Sequence, residues 1–246
     1  MSGTPLVADA GGVRRITFNR PEVLNALTLD DLAVVEGELR SLPSDVRAVV
    51  LTGAGGRAFS AGMHVDTFVE AAPTDGARII GAVARAVGAV RLAPVPTVAV
   101  IDGHCLGAAF EMALACDVRV CSTRATVGLP EVRLGIPSVV EAALLVPHVG
   151  LGKAKEMILT GAVYPIDAVA TLANVLVEPG ELPAAVDAML QALTAPTREV
   201  IAAQKSLFDT WLDVGLTEGI ATSQRVFAEI FALPVTQDAI ASYRRR

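Results

Sequence analysis

The chain has 246 residues, 52% of them hydrophobic and 19% charged, with a formal net charge of −6. That length suits one large domain, or one domain with an appendage. The acidic balance argues against a nucleic-acid protein, whose usual mark is a basic surface, and so apolar a composition calls for a large core plus a subunit interface.

Residues 6–20, LVADAGGVRRITFNR, alternate about a glycine turn and predict a β-hairpin. Thr28 is placed to cap a helix that follows at LDDLAVVEGELRSL. RAVVLTG (47–53) predicts a buried strand, GAGGRAFSAG (53–62) a glycine-rich loop, and 77–92 a helix. PTVAVIDG (96–103) predicts another buried strand, with a helix starting near Leu106 or Gly107 and running through LGAAFEMALAC. DVRVCS (117–122) and NVLVE (174–178) predict strands, and LGKAKEMILTG (151–161) and PIDAVATLA (165–173) predict helices between them. Strands alternating with helices imply an α/β fold built on mostly parallel sheet. From about Pro196 the pattern changes to two helices, 197–214 and 216–232, with no strand between them. The chain therefore divides into an α/β core, 1–194, and a helical region, 195–246, that serves packing or oligomerisation.

Cys105, Cys116 and Cys121 are odd in number and lack C-x-x-C spacing, so they read as reduced core thiols and not as a disulfide frame or a zinc site. The start, MSGTPLVADAGG, lacks the basic and apolar regions of a secretion signal. The greasiest stretch, 134–152, is interrupted by Pro137, Glu141, Pro147 and His148, unlike a membrane span. These features describe a soluble cytoplasmic protein, with Arg244, Arg245 and Arg246 as a solvated end.

Three stretches carry chemistry. In GHCLGAAFEMALACD (103–117), Glu111 is the one acidic side chain on an otherwise apolar helix. An unpartnered buried carboxylate costs several kcal/mol. Gly107 and Ala108 begin that helix, where backbone N–H groups lack internal partners and stand at the positive end of the dipole. A ligand oxygen could approach them as in an oxyanion hole. Small residues there equally permit tight helix–strand packing, the commoner use of such turns. RAFSAGMH (57–64) is a second small-residue turn after a strand, and it lacks the G-K-[ST] ending of a phosphate loop. VGLPEVRLGIPS (127–138) carries Glu131 in a loop. Glu111 and Glu131 could share acid/base work if they meet in space, which their spacing alone does not decide. Ser60 and Ser138 lack a nucleophile elbow, and His64, His104 and His148 lack metal-ligand spacing.

Taken in order, NRPEVLNAL (19–27), FSAGMHVDTF (59–68), IDGHCLGAAFEMALACDVRV (101–120), VGLPEVRLGIPS, LTGAVYPIDAVATLANV (159–175) and LTEGIATSQRVFAEIF (216–231) resemble the enoyl-CoA hydratase/isomerase (crotonase) superfamily nearly end to end. The resemblance implies a spiral of ββα turns with a C-terminal helical region used in trimerisation, and self-association as a homotrimer or a homohexamer of paired trimers. It implies an acyl-CoA thioester as substrate, with the backbone amides of Met63 and Ala108 as oxyanion donors. The CoA portion would lie near Leu24, Ala26, Ala61, Gly62, His64, Val65 and Gly107, with part of its pocket from the helical region. Glu111 and Glu131 correspond to the two catalytic glutamates of the family's hydratases. Implied is syn addition of water across the 2,3 double bond of a short-chain 2-enoyl-CoA, with no metal or redox cofactor. Isomerisation or thioester hydrolysis on the same scaffold, or acyl-CoA binding without turnover, are the alternatives.

The departures fall around the site. Many hydratases have a small residue and an aspartate where this chain has Met63 and His64. Hydratases often carry glutamine two residues before the loop glutamate; Leu129 stands there, so a polar support of Glu131 is expected to be missing. IPSVVEAALL (136–145) replaces a glycine-rich segment, and is expected to narrow the acyl site and to add Glu141.

Overall fold

The computed structural model describes residues 3–243, so the arginines at 244–246 lie outside the described residues. Gly11 and Gly12 take the positive φ a tight turn needs, and β1 (Leu6–Ala10) pairs antiparallel with β2 (Val13–Phe18) as the expected hairpin. Thr28 caps α1 (Leu29–Arg40): its hydroxyl accepts from the Asp31 amide at 3.3 Å, and its own amide donates to the Asp31 carboxylate at 2.8 Å. That reciprocal pair satisfies two donors that a helix start otherwise leaves open. There follow β3 (Ala48–Gly53), β4 (Ala58–Ser60), α2 (Asp66–Val69), α3 (Gly76–Arg91), β5 (Thr97–Ile101), β6 (His104–Leu106), α4 (Ala108–Ala115), β7 (Val118–Ser122) and β8 (Thr126–Gly128). Then come α5 (Leu145–Thr160), β9 (Val163–Pro165), β10 (Val175–Val177) and α6 (Leu182–Thr194), and last α7 (Arg198–Asp213), α8 (Leu216–Phe231) and α9 (Pro234–Tyr243).

A six-stranded sheet runs β1-β2-β3-β5-β7-β10, parallel except for the β1 edge, and a four-stranded sheet runs β4-β6-β8-β9. Within the second sheet β4, β6 and β8 are parallel and β9 is antiparallel. The chain thus lays one strand in the large sheet and the next in the small one, returns through helices or turns, and repeats: β3–β4, β5–β6, β7–β8. This is the spiral of ββα turns.

Several readings from sequence are corrected here. The glycine-rich 53–62 loop contains β4, and the turn after β5 leads into β6 before any helix starts, so the central helix begins at Ala108. Residues 127–138 are not all loop: Val127 and Gly128 lie in β8, and Pro130–Leu134 form a 3-10 turn that carries Glu131. The helix expected at 165–173 is a 3-10 stretch, Ile166–Leu172, broken at Val169. Among the described residues the C-terminal tail has three helices rather than two.

Side-chain alternation puts β3, β5 and β7 between two apolar layers. Ala48, Val50, Val98, Val100 and Val120 face Leu182, Val186 and Leu190 of α6. Val49, Leu51, Ala99, Ile101 and Cys121 face the main core, in which every residue of α4 is buried. Arg119 is buried beneath α4, 4% exposed, and donates to Leu172 O at 2.6 Å, Cys116 O at 2.9 Å and Ala113 O at 3.3 Å. Two of those carbonyls end α4, where the dipole favours a cation. Arg119→Met leaves three buried carbonyls without this donor. At about 1–3 kcal/mol for an unmet buried group, the expected loss is at least ~3 kcal/mol, a drop of roughly 6–12 °C in Tm. A melting curve that matches the parent's would contradict this account of Arg119.

The helix α7 is tied to the core: Lys205 Nζ reaches Asp117 at 2.5 Å, and Asp209 meets Arg91 at 2.6 Å. Its other side and α8 stay apolar in the open, with Leu212 68%, Leu216 81% and Phe227 67% exposed. Among the described residues no helix is long and apolar enough to cross a membrane, and no group of three His, Cys, Asp or Glu side chains is arranged to hold a metal.

Candidate active site

The strands β4, β6 and β8 lie side by side and parallel, so their carboxyl ends open on one edge of the small sheet. Such ends are where α/β sheets hold ligands. Met63 follows the end of β4, Ala108 the end of β6, and Glu131 the end of β8. Three successive turns of the spiral therefore deliver the three positions to one place. They line a cavity of about 400 Å³ together with Glu111, whose helix starts at Ala108. Ile79, Ile80 and Val83 of α3 form one wall, and Leu134, Ile136 and Val139 another. The 136–139 stretch is thus a wall of the cavity, while Glu141, expected at the acyl site, faces a separate cleft beside Arg91.

Backbone crowding brings the two amides together. Gly62 has φ +89° and Gly107 has φ +55°, and a Cβ at Gly62 would stand 2.8 Å from Leu106 O and 3.5 Å from Gly107 Cα. Glycine takes such φ values without strain, and only glycine lets these chains touch. The residues that follow, Met63 and Ala108, carry amides that donate to no protein oxygen among the described residues. Two free N–H groups on adjoining turns suit an oxygen that gathers negative charge.

Glu111 is 3% exposed and accepts from the Ala142 amide at 3.2 Å. Burial, with repulsion from Glu131 next in size and from Glu141 smaller, pushes its pKa up to about 8 against the pull of that amide. Near neutral pH Glu111 therefore holds a proton. Glu131 Oε2 accepts from the Ser138 hydroxyl at 2.7 Å, and its Oε1 lies 2.8 Å from where a Gly107 Cβ would be. The two glutamates are brought together, one neutral and buried, the other half-exposed. The polar support that Leu129 cannot give reaches Glu131 from Ser138 instead.

Of the residues expected around CoA, Ala61, Gly62 and Gly107 line this cavity, and Leu24, Ala26, His64 and Val65 do not. His64 borders a neighbouring polar cleft with Arg20, Asp66 and Arg78. Val65 is exposed, while Ala26 is at the edge of burial. Leu24 accepts from the Ala61 amide at 2.9 Å, and Leu27 bonds on both sides of Met63, to Gly62 O and from the His64 amide, each at 2.8 Å. The 20–27 segment therefore braces the Met63 loop.

Residues 8–246 match the family described as enoyl-CoA hydratase/isomerase. The chain belongs to this family. A short-chain-enoyl-CoA hydratase of Clostridium acetobutylicum is 31% identical over 245 residues, covering 97% of this chain and 93% of that protein. Solved structures of enoyl-CoA hydratases are similar throughout: one from Mycobacterium smegmatis has TM-score 0.92 at 25% identity, covering 98% of this chain and 96% of that one. Another, from Geobacillus kaustophilus, has TM-score 0.90 at 27% identity, covering 98% and 95%.

In this member of the hydratase/isomerase family, sequence reasoning missed three contributors. Asn25 is buried with φ +56°; its side chain donates to Ala54 O at 3.0 Å and Ala58 O at 2.9 Å and accepts from the Arg20 amide at 2.9 Å. An Asn two residues before an apolar Leu was the available signal, since Asn is the side chain that best tolerates a left-handed backbone. The Ala142 amide and the Ser138 hydroxyl gave no signal, because both reach the site through the return of the 136–142 segment.

Proposed function

We propose that the chain is an enoyl-CoA hydratase that adds water across the 2,3 double bond of a short-chain 2-enoyl-CoA thioester. The observation that carries this reading is the meeting of two glutamates, Glu111 holding a proton, with two unbonded amides in an apolar cavity. The thioester oxygen would take the Met63 and Ala108 amides, which stabilise the enolate-like charge formed as the Cβ–O bond is made; one such donor is typically worth roughly 10²–10³-fold. One carboxyl accepts a proton from water as its hydroxyl joins Cβ, and the other delivers a proton to Cα, so the elements of one water are added. The proton held by Glu111 meets the need for an acid near pH 7. CoA would run outward past Ala61 and Gly62 toward His64 and Val65, with Leu24 and Ala26 at its flank. The reading calls on no metal or redox group, and the name and coverage of the Clostridium relative support it.

Loss of enoyl absorbance when purified protein is mixed with crotonyl-CoA tests the proposal; no turnover across several chain lengths overturns it. A shift of the double bond without hydration would point to isomerisation, and free CoA to hydrolysis. The exposed apolar faces of α7 and α8 support self-association through the 195–246 region as a homotrimer or a homohexamer. Sedimentation should give a mass that is a multiple of three chains, and a monomer would refute it. Three buried, unpaired cysteines suit the reducing cytoplasm.

A further inference from the structure

Ser138 is half-buried, lines the cavity, and points its hydroxyl at Glu131 Oε2 at 2.7 Å. The terminal torsion of a glutamate is soft and broad, so burial of the stem does not fix the plane of the carboxylate. Glu131 Oε1 lies over Gly107, 2.8 Å from where a Cβ there would stand, and Oε2 is the oxygen that takes the Ser138 hydroxyl. The loop is built to bring that partner: the Glu131 carbonyl accepts from the Ile136 amide at 3.3 Å, and Gly135 turns with φ +80°, which folds the chain back on itself. One residue thus anchors its loop by its main chain and is held by the returning segment through its side chain. No histidine or lysine bonds the Ser138 hydroxyl among the described residues, and its oxygen stands 2.7 Å from Glu131 Oε2.

We propose that Ser138 is a positioning residue that sets the plane of the Glu131 carboxylate, so that Oε1 faces the reacting carbons and water beside Ala108. The kinetic part of this proposal rests on the hydratase reading. A carboxylate misplaced by about 1 Å can lose 10²-fold.

The test is a set of variants, Ser138→Ala, Ser138→Thr, Glu131→Gln and Ser138→Ala/Glu131→Gln, with crotonyl-CoA as substrate. Ser138→Ala should lower kcat roughly 10–100-fold with KM held within about twofold. Ser138→Thr, which keeps the hydroxyl, should recover most of the rate. In the Glu131→Gln background the alanine change should add no further loss. Equal kcat in Ser138→Ala and parent overturns the proposal. So does an acyl adduct found on Ser138 by mass spectrometry, because the hydroxyl would then be a nucleophile. Infrared difference spectra supply a readout that needs no turnover: the carboxylate band that vanishes in Glu131→Gln should shift in Ser138→Ala. An unshifted band overturns the positioning even if the protein is inactive, whereas a shifted band without turnover upholds it and faults the hydratase reading alone.

Discussion

Gly107→Ala should lose roughly 10²–10³-fold in kcat, the loss typical of one missing oxyanion donor, while the protein still folds. Two effects coincide at this residue. Its backbone, φ +55° and ψ −135°, lies where a Cβ-bearing residue is strained by about 1–3 kcal/mol, so the turn relaxes and re-aims the amide of Ala108 just beyond it. The new Cβ would also meet Glu131 Oε1 at 2.8 Å and push that carboxylate off the cavity floor. The control is Gly11→Ala. Gly11 has φ +57° in the hairpin turn but nothing within 4 Å of a new Cβ. It shares the positive φ without the crowding and should keep full activity. Steady-state rates on crotonyl-CoA and melting curves for both variants separate the effects. Equal activity in parent and Gly107→Ala would remove the amide pair and Glu131 from the mechanism together.

Glu111 shows how far the sequence could be read. One carboxylate on a helix of Ala, Leu, Phe and Met is visible as an anomaly, and its helix is visible from apolar composition and from the strand before it. The large sheet was legible for the same reason, because the centres of β3 and β5 are apolar runs buried on both faces. The small sheet was not, since β4, β6 and β8 have three residues each, too few for any period to register. Yet those strands are what collect Met63, Ala108 and Glu131 at one edge. The helix α6 carries a readable stripe at Leu182, Val186 and Leu190, to which the sequence reading assigned no element. Leu129 led to the expectation of an unsupported Glu131. The partner that replaces it stands seven residues on, at Ser138, and depends on a loop closure that no local pattern encodes.

Glu111→Gln should remove activity and raise stability at the same time. Turnover needs the proton that Glu111 carries, and loss of such an acid or base typically costs roughly 10²–10⁴-fold in kcat. Stability follows from the raised pKa, about 8 in the folded chain against an ordinary 4.5. Between those values the folded state binds the proton and the unfolded state has released it, so folding weakens as pH rises, by about 1.4 kcal/mol per pH unit. Glutamine keeps an oxygen for the Ala142 amide and has no charge to bury. The variant should therefore melt higher than the parent at pH 8, by a margin that shrinks as pH approaches 5. The same titration sets the alkaline limb of kcat/KM near pH 8 in the parent. Glu141 pushes this pKa upward from behind, and Arg91 holds Glu141 at 3.5 Å. Glu141→Gln removes a like charge and frees some of the guanidinium field, so both changes favour ionised Glu111 and the limb should move to lower pH. A limb that stays in place, or a Glu111→Gln protein that melts lower than the parent at pH 8, would mean that the proton does not reside on Glu111.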